Sequence, residues 1–179
     1  MSESSSRTSS HKKWRGAWLE VVTETVVLPN GSSVDLDIVR HPGASAVVPF
    51  ASDDEVILIR QYRYATGGDL WEVPAGKLDP GEDPTACAHR ELEEEAGQRA
   101  GRLEPLGPMW ASPGFTDEKI HLFAAFDLTE VPQRLEADEV IELERMPFRR
   151  ALDMVWSGEI SDAKSQLALL KAAHLVRTA

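Results

Sequence analysis

The chain has a single cysteine, Cys87, among its 179 residues. An internal disulfide is therefore excluded, which fits a reducing compartment, and a lone small thiol on a helix, near acidic residues, reads as packing rather than as a nucleophile. Positive charge is also in short supply. Lys and Arg number 19 against 30 Asp and Glu, a formal net charge of −11. A nucleic-acid binder needs a basic face for the phosphate backbone, so that class is set aside. No apolar run reaches the roughly 18 residues of a membrane helix, and no signal-peptide core is present. The expectation is a cytoplasmic protein with no membrane partner. Internal repeats are absent, and His41, His89 and His121 are scattered without ligand spacing.

What is present is enough for one domain with a proper core, 42% of residues being hydrophobic. Residues 1 to 13 are polar and without periodicity, and read as a disordered tail. Residues 14–40 read as a hairpin arm, with strands at Trp18–Leu28 and Val34–Val39 joined at Asn30-Gly31. The domain proper is expected over 41–179. Strands are expected at Ala44–Phe50, Val56–Tyr64, Leu70–Val73, Leu103–Leu106, Met109–Ala111, Ile120–Leu128 and Val140–Leu143. Pro147 opens a helix that Gly158 closes, and Ser161 caps a last helix running to about Val176. Strands first, then a helix inserted among more strands, imply an α+β fold with a mixed sheet between helices.

The most informative stretch is Gly76–Gly97. Asp83 suits an N-cap, Pro84 the first helical position, and Gly97 the left-handed residue that ends a helix. At about 100° per residue, Glu91, Glu94 and Glu95 share one third of the circumference, while Glu93 points away. Glu91 and Glu95 are like charges at i and i+4, and Glu94 and Glu95 sit where the helix dipole is already negative. A solvated acidic face is the plain alternative. Breaking two local rules together points instead to a site. Clustered carboxylates are most simply stabilised by a hard divalent cation such as Mg²⁺, which keeps waters and takes substrate phosphates as ligands. The Gly76–Gly81 loop could add a backbone carbonyl, for instance that of Ala75.

Gly76, Glu82 and Arg90-Glu91-Leu92-x-Glu94-Glu95-x-Gly97, at this spacing, resemble the Nudix box of the Nudix hydrolases. One departure is Gln98, where the family usually has an aliphatic residue. Pro113 stands sixteen positions beyond Gly97, the spacing of the ADP-ribose pyrophosphatase branch. The resemblance implies an αβα sandwich, two or three Mg²⁺ ions (or Mn²⁺), and hydrolysis of ADP-ribose to AMP and ribose 5-phosphate. It implies metal ligation by Glu91 and Glu95, with Glu94, Glu139 and the Ala75 carbonyl assisting. Arg90 and Glu82 would brace the acids from behind. The branch often carries its base two residues before Glu139, where this chain has Ala137. Glu136, Asp138 or Glu139 are left as candidates, or Glu91 or Glu95 acting on a metal-bound water.

For the substrate, Ser112, Pro113, Gly114, Phe115, Thr116, Asp117 and Glu118 form the loop that the branch uses for specificity. Trp18 matches the aromatic that stacks on adenine, often from the partner subunit of an arm-exchanged homodimer. Arg63 suits a phosphate because guanidinium pairs with oxygens two at a time. A surface arginine and a core tryptophan are the plain alternatives. Another nucleoside diphosphate sugar such as GDP-mannose is the rival substrate. A non-catalytic ADP-ribose sensor is the rival function, although such proteins typically lose box carboxylates.

Overall fold

The computed structural model describes residues 6–137 and 139–178. The chain divides into two units, one of residues up to Gly43 with Trp110–Lys119, the other of Ala44–Met109 with Ile120 onward. In that division the 110–119 segment groups with the N-terminal strands.

In the first unit, β1 (Ser6–Arg15), β2 (Glu20–Val27) and β3 (Ser33–Arg40) form an antiparallel sheet in that order. Residues 6–13 are therefore strand, not tail; residues 1–5 lie outside the described residues. The tail reading looked for hydrophobic alternation, whereas β1 is held by its neighbour. Its ladder on β2 is reinforced by Ser9 Oγ on Thr25 Oγ1 (2.9 Å) and Arg7 Nη1 on Glu24 Oε1 (3.0 Å). A polar strand needs no apolar face when its partner supplies the register. The second hairpin turns where expected, with Gly31 at φ 82°. Against β3 lies the 110–119 segment, with Val39 N donating to Phe115 O (2.8 Å) and Asp117 N to Val39 O (3.3 Å).

The second unit contains β4 (Ala44–Pro49), β5 (Glu55–Arg63), β6 (Gly68–Glu72), β7 (Ala75–Lys77), α1 (Pro84–Ala96), most of β8 (Gln98–Trp110) and β9 (Lys119–Glu130), β10 (Ile141–Pro147), α2 (Phe148–Ser157) and α3 (Ala163–Thr178). One sheet runs β7-β4-β9-β8, with β4 and β9 parallel and β7 antiparallel to β4; the other runs β10-β5-β6. Strand β4 is buried along its whole length. Its alternation sends Val47 to a cluster with Ala88 and Leu92 of α1, and Ala46 and Val48 to a cluster with Met154 of α2 and Leu169 of α3. The mixed sheet between helices is the architecture expected.

Three local expectations are corrected. The two strands expected at Leu103–Leu106 and Met109–Ala111 are one strand, β8, with Gly107 at φ 86° inside it. This edge strand tolerates the Gly-Pro pair because Pro108 lacks only an N–H, and Lys171 Nζ satisfies the Leu106 carbonyl (2.8 Å). The Gly76–Gly81 loop begins as strand β7, where Ala75 pairs with Ala46. Helix α3 is capped by Asp162 rather than Ser161: the Asp162 carboxylate accepts from Ser165 N (2.9 Å) and Ser165 Oγ, and a charged acceptor holds amides more strongly than a hydroxyl.

Candidate active site

Helix α1 forms as its punctuation dictates. Asp83 accepts from Thr85 N (2.8 Å), Pro84 opens the helix, and Gly97 closes it at φ 60°. Cys87, Ala88, Leu92 and Ala96 are buried on the sheet, and so are Glu91 and Glu95, at 6% and 2% exposure. Burial pushes the Cys87 thiol up to about 12, consistent with an inert packing residue.

Burying two carboxylates one turn apart is costly unless the surroundings answer for it. Glu95 Oε2 accepts from the Ala75 backbone N–H at 2.7 Å. Even so, burial pushes its carboxyl up to about 8; the Ala75 N–H works against the shift and the charges of Glu91 and Glu139 add to it. Glu91 is pushed up to about 6, again by burial, with Arg90 opposing and Glu94 and Glu139 adding. Gly76 makes room for this group, since a Cβ at that position would fall inside the Glu91 carboxylate.

Arg90 braces the cluster. Its Nε and Nη2 both pair with Glu82 (2.9 Å each), while Nη1 donates to Glu91 Oε1 (2.6 Å) and Glu94 Oε2 (3.1 Å). The fork from Arg90 holds the Glu82 carboxyl down at about 2, and the guanidinium is in turn raised. Glu82 Oε2 also accepts from Asp79 N (2.9 Å), tying down the loop. Glu136 and Glu139 form a short turn, Glu139 N donating to Glu136 O (3.1 Å) and Glu136 N to Glu139 Oε2 (2.8 Å). Together Gly76, Lys77, Asp79, Arg90, Glu91, Glu94, Glu136 and Glu139 line one cleft of about 170 Å³.

The structure thus brings Glu82, Arg90, Glu91, Glu94, Glu136 and Glu139 to one place, with Ala75 and Glu95 bonded at its edge. Asp138 lies outside the described residues. Among the described residues no three acids, imidazoles or thiols are gathered closely enough to ligate a single ion. Arg90 stands among them instead, as the counter-charge of Glu91 and Glu94. The donor set nevertheless fits a hard divalent cation, because every acidic group lining the cleft offers oxygen, and the charge of Glu91 adds to the rise of buried Glu95 while that of Glu139 adds to both.

Arg63 is in the same unit, with Nε and Nη2 on Glu72 at 2.8 and 2.9 Å. Trp18 and the 112–118 loop belong to the first unit. There the half-exposed Trp18 ring meets His41 edge-on at 5.1 Å, and His41 Nε2 lies 3.5 Å from Glu118 Oε1. Phe115 and Thr116 donate their N–H groups to Ser112 O, closing the turn around Pro113 and Gly114. Asp117 accepts from His41 N and Arg40 Nη1 (2.8 Å each), and Phe115 is exposed. Sequence reasoning missed Asp79, Lys77, Arg40 and Glu72. Only Glu72 had a signal, as a charge between Trp71 and Val73 in an otherwise apolar strand.

A NUDIX domain profile matches residues 39–165. An ADP-ribose pyrophosphatase of Bacillus subtilis (strain 168) is 39% identical over 156 residues, covering 86% of this chain and 84% of that protein. A methanol dehydrogenase activator of Bacillus methanolicus is 38% identical over the same shares. A GDP-mannose pyrophosphatase of Escherichia coli (strain SMS-3-5 / SECEC) is 36% identical over 79% of this chain and 84% of its own. A crystal structure of an ADP compounds hydrolase shares the fold, with a TM-score of 0.85 over 98% of this chain and 96% of that one at 23% identity. With the profile spanning most of the chain and relatives this similar along most of their length, the chain belongs to the Nudix family of hydrolases.

Proposed function

We propose that this Nudix pyrophosphatase hydrolyses ADP-ribose, with one water, to AMP and ribose 5-phosphate. The observation that carries the reading is the pair of buried carboxylates, Glu91 and Glu95, set over Gly76 and Ala75. Glu91, Glu94, Glu95, Glu139 and the Ala75 carbonyl would hold two or three Mg²⁺ or Mn²⁺ ions. Such ions lower the pKa of a bound water and neutralise charge on the departing phosphate. The chain's own residues do the rest. Arg90 and Glu82 keep the acids in register, and Glu139 or Glu136 takes the proton of the attacking water. Arg63 meets the diphosphate, Trp18 stacks on the base, and Ser112–Glu118 select the sugar.

The N-terminal strands serve as the arm of a cytoplasmic homodimer, supported by half-exposed Trp14 and Trp18 on the first unit. Among the described residues no helix is long and apolar enough to cross a membrane.

The test is a side-by-side assay of ADP-ribose, GDP-mannose and other nucleoside diphosphate sugars with Mg²⁺ and with Mn²⁺, identifying products. AMP and ribose 5-phosphate are expected, with the highest kcat/KM for ADP-ribose. A higher kcat/KM for GDP-mannose would transfer the reading to that substrate. Tight ADP-ribose binding without turnover in either metal would make the chain a sensor.

A further inference from the structure

Glu72, the last residue of β6, is 1% exposed and fully engaged. Arg63 Nε and Nη2 take its two oxygens at 2.8 and 2.9 Å, and Lys164 Nζ donates to Oε2. Lys164 also reaches Asp162 Oδ2 (3.0 Å), the cap of α3, and the capped Ser165 hydroxyl accepts from Val73 N (2.9 Å). Four charges are thus wired from the first turn of α3 to β5. Burial by itself would raise the Glu72 carboxyl, but the two cations outweigh it and hold it below the usual range.

If this cluster only fastened a helix to a sheet, apolar side chains of similar volume would do so at no desolvation cost. What it achieves that apolar residues cannot is to aim a guanidinium. With Nε and Nη2 committed to Glu72, Arg63 Nη1 has no protein partner among the described residues, and the side chain is 38% exposed. Two positions earlier on the same strand face, Gln61 is 5% exposed, and its Oε1 has no hydrogen-bond partner among the described residues. A fixed cationic donor and a buried acceptor without a donor therefore share one face of β5. Arg63 also lies within the electrostatic reach of Glu95.

We infer that Glu72, backed by Lys164, is a positioning residue that locks the Arg63 guanidinium so that its open edge receives the substrate diphosphate. The inference rests on the proposed function for the diphosphate and not for the nucleoside or the sugar. Lys164 sets the strength of the lock, since without it Glu72 would hold Arg63 with a carboxylate short of one partner.

A double-mutant cycle tests this on the full chain. Binding of inorganic pyrophosphate and of a methylene-bridged analogue of ADP-ribose is measured by calorimetry in Mg²⁺, for wild type, E72Q, R63A and the double variant. E72Q and R63A are each expected to weaken pyrophosphate binding about tenfold, and E72Q to add less than about twofold once Arg63 is gone. K164M, which leaves the Glu72–Arg63 pair in place, should weaken binding about threefold and raise KM more than it lowers kcat. Additive losses in the cycle, or E72Q binding pyrophosphate as wild type does, would overturn the inference, as would a wild type that does not bind pyrophosphate. Coupling seen with pyrophosphate when the analogue fails to bind would sink the ADP-ribose reading alone.

Discussion

The Ala75 backbone N–H points at Glu95 Oε2 from 2.7 Å, joining the first residue of β7 to the last turn of α1. At the negative end of a helix and 2% exposed, the Glu95 carboxyl is faced by a fixed amide dipole that opposes, without cancelling, the upward push of burial. Gln at position 95 could accept the same bond. Glu95→Gln is therefore expected to fold and melt as the wild type does or slightly above it in metal-free buffer. Its kcat should fall by at least about a hundredfold. A calorimetric melt and a steady-state assay on the same preparation check both halves, and turnover retained with metal affinity unchanged would remove Glu95 from the ligand set.

The same burial gives metal-free stability a defined pH dependence. Glu91 and Glu95 titrate near 6 and 8 in the fold, above the ordinary 4.5. A carboxyl raised on folding binds protons more tightly in the native state, so its contribution is complete below about 4.5 and is lost as pH rises through 6 and 8. The Tm in EDTA should fall over that window, and less steeply in Glu95→Gln. Added Mg²⁺ should release protons and reverse the decline, because carboxylates bind it deprotonated. A flat Tm between pH 5 and 8.5 in EDTA would contradict this.

Glu82 behaves in the opposite sense. Its carboxyl is held at about 2 by Arg90, so the stabilisation it brings is present above 4.5 and lost as pH falls toward 2. Glu82→Gln should flatten the acid limb of the stability curve. It should also weaken metal binding, because Arg90 loses the charged two-nitrogen fork that fixes it while it holds Glu91 and Glu94.

Gly76→Ala places a methyl group where the Glu91 carboxylate lies. The carboxylate has to move. A stability loss of about 1–3 kcal/mol is expected, with metal affinity at least about tenfold weaker, read by Mn²⁺ titration of the apo protein.

The 112–118 loop is expected to change substrate choice without touching metal binding. Asp117→Ala removes the acceptor shared by Arg40 Nη1 and His41 N, which tie the loop to the N-terminal strands. The kcat/KM ratio of ADP-ribose to GDP-mannose should shift about tenfold while Mn²⁺ affinity stays constant. Equal loss of both would separate the loop from specificity.

The acidic helix was legible in the sequence almost residue by residue, because caps, glycine stop and carboxylate spacing are local facts. So were the alternation of β3 and the position of β4. What escaped was set by partners far along the chain. Ser6–Arg15 is strand only because β2 offers it a ladder, and β7 exists only because Ala46 and Ser45 lie alongside. Gly107-Pro108 looked like a break, but at a sheet edge one strand runs through it. Glu72 and Lys164, 92 positions apart, could not be paired by any spacing rule. Arg90 as counter-ion of Glu91 was likewise hidden, since adjacent helical residues do not ordinarily face each other.

Strand β4 has no wet side. Val47 touches the layer of the acidic helix, and its neighbours Ala46 and Val48 touch the layer of α2 and α3. The machinery and the back of the protein are therefore one backbone apart, with no loop between them to absorb a shift. Enlarging a side chain at the rear, beside Leu169 or Met154, would push on a ribbon whose other face seats Leu92. Lesions remote from the cleft should thus register as lost turnover well before they register as unfolding.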